Sequence, residues 1–247
     1  MRTEHAITQK IRTHPFSPVH EARHVRAATA VMAAMESTAA MVMLYSHVLL
    51  AATYYVGSSG NDANNGRARN AAWRSLAKVS SYAFAPGDTI LLECAVSFPG
   101  QLLFDSRDGN NPDLPVVVSS FGKGKAEIRP GRETAVKIYN SSGFHLSSLV
   151  LKGPRDGTDT RFSGITCFTD LPRHASAIAV SDVEVVGFGH CGILFDSWCD
   201  GPGSGWEEIT IENCTIHDNR EHGIYLGGKD NPSVFNARVS HCLLHHN

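Results

Sequence analysis

The chain has 247 residues, of which 42% are hydrophobic and 19% charged, with a formal net charge of −2. That length and composition suit one globular domain with a substantial core. With neither a basic excess nor a Lys/Arg run, a nucleic-acid partner has no electrostatic support.

The charge is uneven. Residues 1–26 hold Arg2, Lys10, Arg12, Arg23 and Arg26 against Glu4 and Glu21, a net +3 that leaves −5 for the rest. An apolar stretch follows from Ala27 to Ala52, interrupted by Glu36, Ser37, Thr38 and His47. Its cleanest part, Met41 to Ala52, has the length of a signal-peptide core and is too short to span a bilayer. Small residues at Leu50-Ala51-Ala52 offer a cleavage site. Residues 1–52 therefore predict an export signal, a secreted, periplasmic or cell-surface destination, and no stable membrane span.

Thr53-Tyr54-Tyr55-Val56 reads as a strand and Gly57 to Asn70 as a Gly/Asn/Asp loop. Trp73, Leu76, Val79 and Ala83 recur at helical spacing, which predicts a short amphipathic helix over residues 71–84. A Pro86-Gly87-Asp88 turn leads to strands at Thr89–Leu92, Pro115–Ser119 and Ala126–Ile128. Residues 53–133 form an N-terminal cap with first coils.

From about residue 134 the chain repeats itself. VEVVGFGHCGILF (183–195) lies over CTIHDNREHGIYL (214–226) without a gap, at an offset of 31. CLLHHN (242–247) lies over CTIHDN (214–219) at an offset of 28, and FHLSSLVLKG (144–153) over ITIENCTIHD (209–218). Repeats of this length with alternating apolar residues indicate a solenoid. Leucine-rich repeats lack their Leu/Asn consensus here, and a β-sandwich does not account for a 13-residue self-match. Each repeat is then one coil of short strands, stacked at the strand spacing of about 4.8 Å. Asn219 and Asn247 fall at equivalent corners, where side-chain amides can form a ladder. About two or three coils are expected in the chain. Asn247 falls within a coil, so the helix reads as incomplete at its C-terminal side.

Six cysteines (94, 167, 191, 199, 214 and 242) show no zinc spacing. Buried thiols acting as small apolar groups are the expectation, and Cys214 and Cys242 stack within reach of a disulfide.

The chain from Thr53 onward resembles the exported right-handed parallel β-helix, or pectate-lyase-like, proteins of bacteria. The resemblance rests on TYYVGSSGNDANNG (53–66), AWRSLAKV (72–79), PGDTILL (86–92), PVVVSSFGKGKAEIRPG (115–131) and the I-x-N-C-x-I-x-x-N text of Ile211–Asn219. It implies an all-β solenoid with an N-terminal capping helix. It also implies action on polysaccharide, with lyase chemistry on uronate-containing glycans, or hydrolysis, as the expectation. The alternative is a non-catalytic carbohydrate-binding or adhesin-like surface β-helix. Family lyases use a Lys or Arg base and carboxylate-held Ca²⁺, but the paired-Asp and Gly-His-Gly text of polygalacturonase-type hydrolases is missing.

Candidate chemistry concentrates near residues 196–230. Ile224 and Leu226 face inward, so Tyr225 faces out, as does Leu194 one coil earlier. The following loops stack, bringing Asp196 and Asp200 near Lys229 and Asp230. Asp196, Asp200 and Asp230 are the candidate Ca²⁺ ligands through oxygen. Lys229 and Arg220 are candidate bases for a proton alpha to a uronate carboxylate, with His222 and Tyr225 beside them. Trp198 and Trp206 are candidate platforms for sugar rings.

Overall fold

The computed structural model describes residues 51–154, 161–199, 203–229 and 233–247. Residues 1–52, where the sequence leads one to expect an export signal, lie outside the described residues apart from Ala51 and Ala52. Among the described residues sixteen strands follow in order. They are β1 (Thr53–Val56), β2 (Thr89–Glu93), β3 (Ser97–Pro99), β4 (Leu102–Phe104), β5 (Val116–Phe121), β6 (Ala126–Arg129), β7 (Val136–Tyr139) and β8 (Phe144–Lys152). Then come β9 (Ile165–Thr169), β10 (His174–Val186), β11 (Cys191–Ser197), β12 (Gly205–Glu212), β13 (Thr215–His217), β14 (His222–Leu226), β15 (Val234–Ser240) and β16 (Leu243–His245).

All named pairings are parallel. One sheet runs β1-β2-β5-β8-β10-β12-β15, with β3, β6, β13 and β16 attached; the other runs β14-β11-β9-β7-β4. The chain visits the two sheets alternately, so this is a parallel β-helix of about five turns, more than the two or three coils expected from the repeats. The repeat offsets are its registers: Ile193 pairs Ile224, Ile216 pairs Leu244, and Phe144, Ile178 and Ile209 stack in one column.

Inward columns make the core. Phe104, Ile138, Cys167 and Phe195 stack in register and are fully buried, with Leu226 partly buried at the end of the column. Burial of each such side chain contributes roughly 1.5–3 kcal/mol.

The coil turns corners with single left-handed residues. Ser148, Asp182, Asn213 and His241 occupy one such bend, at φ between 52° and 54°. Ala177, Glu208 and Asn236 occupy another, at φ between 51° and 58°. Asn and Asp enter this region at low cost because their short polar side chains bond locally.

The expected amide ladder is present. Asn219 is buried, and its Nδ2 donates to Asn247 Oδ1 (2.9 Å) and to Val185 O (3.4 Å). Its Oδ1 accepts from Phe188 N (3.1 Å), and Asn247 Nδ2 donates to Ile216 O (3.0 Å). These bonds pair the backbone of Phe188 at the corner and tie the amides to the strand ends at Val185 and Ile216.

At the other end, the helix is shorter than the spacing predicts. Among the described residues the one α-helix is α1 (Leu76–Ser80), preceded by a short 3-10 turn at Arg69–Ala71. Ser75 accepts from Lys78 N as its N-cap, and Asp62 accepts from Arg74 N and Ser75 N, so the helix starts after Trp73. Trp73 instead lies extended beside β1, bridging Val56, with its indole buried against Tyr54. Ser80 Oγ accepts from Leu103 N and donates to Gln101 O, which satisfies backbone at the edge of β4.

Replacing Asn219 with Ala leaves Phe188 N without its acceptor in a buried corner. That costs about 1–3 kcal/mol, or a fall of roughly 3–10 °C in unfolding midpoint. Calorimetry checks this, and a midpoint unchanged within a degree would show that the ladder contributes nothing.

Candidate functional site

The outward face of the second sheet gathers the most chemistry. Two columns there follow from the register. In the first, Tyr139, Phe168, Asp196 and Gly227 stack on successive turns. In the second, one step further along, Asp170, Trp198 and Lys229 stack, their register carried by Trp198 N donating to Thr169 O and Lys229 N to Ser197 O. Asp170 and Asp196 are therefore diagonal neighbours on adjacent turns. A strand spacing of about 4.8 Å and a rise of about 3.3 Å per residue place their Cα atoms on the order of 8 Å apart.

Asp170 is exposed and held in place. It accepts from the Tyr139 hydroxyl and from Asn140 Nδ2 (2.8 Å), and its own N donates back to Asn140 Oδ1 (3.0 Å). The Tyr139 hydroxyl, and then the Asn140 amide, hold its carboxyl below the ordinary range, so it is anionic at neutral pH. The same bond pushes the Tyr139 phenol up. Tyr139 stacks on Phe168 at 6.0 Å. Asp196 Oδ1 accepts from Ser197 N (2.8 Å).

Aromatic rings flank these carboxylates. Trp198 is 59% exposed and carries Lys229 Nζ over its ring at 5.6 Å. Tyr225 is 42% exposed. Gly227, opposite Asp196, leaves room for the Tyr225 ring: a Cβ there would lie 2.6 Å from it. The absent side chain lets the phenol lean over the turn beside Asp196.

Several sequence expectations hold in this geometry. Tyr225 and Leu194 share an outward column, and the loops after β11 and β14 stack. Others are corrected. Trp206 is fully buried, edge-on to Phe195, with Nε1 donating to Asp196 O (2.9 Å). It is a core residue that supports Asp196, and no sugar ring reaches it. Arg220 and Lys229 stand beyond opposite ends of β14, so they cannot serve one reacting bond together. His222, exposed at the start of β14, stacks on Tyr225 at 5.6 Å.

Of the three carboxylates expected to hold Ca²⁺, only Asp196 is among the described residues; Asp200 and Asp230 lie outside them. Among the described residues, no group of three or more His, Cys, Asp or Glu side chains is placed to hold a metal ion.

The sequence alone does not single out Asp170, Tyr139 or Phe168. Their signal is positional: they occupy, one and two turns earlier, the columns of Asp196 and Trp198.

A second polar cluster lies elsewhere, on β13 and β16. His217 stacks on His245 at 4.9 Å, and its Nδ1 is 2.8 Å from the Asp218 carboxylate. Asp218 is held below its ordinary range, first by that bond. Their recurrence follows the 28-residue coil register.

No family model matches the chain. A 136-residue stretch, 54% of this chain, is 35% identical to a lacto-N-biosidase of Bifidobacterium longum subsp. longum, and covers 8% of that protein. The selenomethionine crystal structure of the GH136 lacto-N-biosidase from Eubacterium ramulus superposes on 81% of this chain and 40% of its own. The TM-score is 0.56 at 18% identity. Its native form gives 0.54 at 19% identity, over 68% of this chain and 34% of that one. The pectate lyase Pel9A gives a TM-score of 0.39, too distant for sites to be compared. The chain thus spans well under half the length of the lacto-N-biosidases it matches. Its fold, like theirs, is a parallel β-helix.

Proposed function

We propose that this β-helix binds glycan chains across the outward face of its second sheet and hydrolyses a glycosidic bond there. The observation that carries the reading is the Asp170/Asp196 diagonal pair bordered by exposed Trp198 and Tyr225. A sugar ring presents an apolar face that stacks on an indole, and hydroxyls that bond to carboxylates and Lys229. Glycoside hydrolysis needs two carboxyl groups flanking the scissile oxygen.

Asp170, kept anionic by Tyr139 and Asn140, faces the developing positive charge at the anomeric carbon, as nucleophile or through a water. Asp196 then delivers the proton to the leaving oxygen. Lys229 is assigned to orienting a substrate oxygen rather than to proton abstraction. The similarity to lacto-N-biosidases supports hydrolysis over elimination. The basic-then-apolar N-terminal pattern supports export to where such glycans are met.

The assay offers the full chain a chromogenic lacto-N-bioside, neutral glycans, pectate and alginate, each with Ca²⁺ or chelator. Reducing ends without new ultraviolet absorbance are expected. Asp170→Asn and Asp196→Asn should each lower kcat by about 10²–10⁴-fold. Chelator-sensitive absorbance from a new C=C bond would instead establish a Ca²⁺-dependent lyase. Glycan binding without turnover would leave a carbohydrate-binding scaffold.

The two tryptophans separate recognition from folding. Trp198→Ala should weaken glycan binding about 3- to 10-fold, the worth of one stacked ring, with an unchanged unfolding midpoint. Trp206→Ala should destabilise the fold by about 3–5 kcal/mol through the cavity it leaves. Titration calorimetry and thermal unfolding read both. Equal glycan affinity in the Trp198→Ala variant would remove this face from the binding site.

A further inference from the structure

We propose that Cys214 and Cys242 are a dithiol that closes into a disulfide joining successive turns of the β-helix when the chain meets a thiol oxidant. All six cysteines are reduced in the structure. Cys214 and Cys242 are held directly over one another. Glu212 pairs Ser240 on one side and Thr215 pairs Leu243 on the other, and Leu243 N donates to Cys214 O at 2.9 Å. In-register neighbours on adjacent parallel strands have Cα atoms about 4.8 Å apart, inside the roughly 4.4–6.8 Å range of disulfides.

The side chains also point alike. Each follows a left-handed corner residue, Asn213 or His241, that turns it toward the interior. Each thiol reaches the carbonyl two residues back in its own turn, Cys214 to Glu212 O (3.2 Å) and Cys242 to Ser240 O (3.3 Å). Two equal side-chain orientations one strand apart stack the sulfurs on the same side of the coil.

The remaining cysteines have other neighbours. Cys167 lies between Ile138 and Phe195, Cys191 opposite His222, and Cys94 against Gly122. Cys199 lies in the loop after β11.

Closure is two exchanges with a small-molecule disulfide such as oxidised glutathione. The half-buried Cys242 thiolate attacks one glutathione sulfur, forming a mixed disulfide and releasing the other as a thiolate. The Cys214 thiolate then displaces the second glutathione. Two S–H bonds are lost and one S–S bond forms; the two electrons reduce glutathione disulfide to two thiols, and the protons pass to water or to those thiols. Burial pushes the Cys214 thiol up to about 11, so the second exchange accelerates with pH up to that value.

The test incubates the folded full chain with oxidised glutathione, blocks remaining thiols with iodoacetamide and maps peptides by mass. A single cross-link between the Cys214 and Cys242 peptides is expected, lighter by two hydrogens, forming faster at higher pH. Closing a one-coil loop should raise the unfolding midpoint on the order of 10 °C. Cys214→Ser should stop at a glutathione adduct on Cys242, and Cys94→Ser should leave the cross-link intact. A native chain that stops at the Cys242 adduct, keeps both thiols alkylatable, or forms other pairs would overturn the proposal.

Discussion

The in-register parallel stack is the constraint on which everything else here depends. Once Ile178 lies between Phe144 and Ile209, every residue of those turns has an assigned neighbour about one strand spacing away. The hydrogen-bond ladder leaves no freedom to slip, because a one-residue shift would turn Ile209 and Ile211 to solvent. Turns of unequal length are reconciled only at corners: the step from Phe144 to Ile178 is 34 residues, from Ile178 to Ile209 it is 31, and from Ile209 to Ala237 it is 28.

That constraint explains the Asn-Cys text. Alternation alone would place Asn213 inward and Cys214 outward, since Ile209 and Ile211 face in. The left-handed bend at Asn213 changes the parity, so the Asn is exposed and the Cys is buried. Asn tolerates the positive φ, and a small apolar thiol suits the first inward position after it. The Asn219 amide then closes the next corner. One short motif encodes a bend, a core residue and a ladder.

The same parity rule separates what the sequence discloses from what it hides. The coil offsets, the Asn ladder and the outward Tyr225 were legible because strict alternation runs uninterrupted through 223–226 and its copies. Trp206 was not, because Glu208 takes a left-handed bend between it and Ile209. Counting back by twos from Ile209 puts Trp206 outside, whereas the bend puts it inside, over Ala175. Asp170 and Tyr139 were hidden differently. The turn they border is longer, so the ungapped self-match through 183–195 never reaches 168–170. The helix over 71–84 failed at its start because the capping of Ser75, supported by Asp62, outweighs helical spacing at Trp73.

Outward columns are where such a fold can acquire chemistry without disturbing its core. Inward positions are restricted to residues that stack, while an outward position needs only to leave the ladder intact. Asp170, Asp196 and Tyr225 come from three successive turns, so no one turn contains the candidate site and none can form it alone. Their relative positions are set by backbone hydrogen bonds rather than by long flexible loops, which gives the preorganisation that charge stabilisation requires. Gly227 shows how fine that control is: its missing Cβ is what admits the Tyr225 ring beside Asp196. The core supplies the orientation of this face through Trp206, whose indole bonds the Asp196 carbonyl from below. A buried residue with no access to substrate thereby helps determine where a carboxylate stands on the surface.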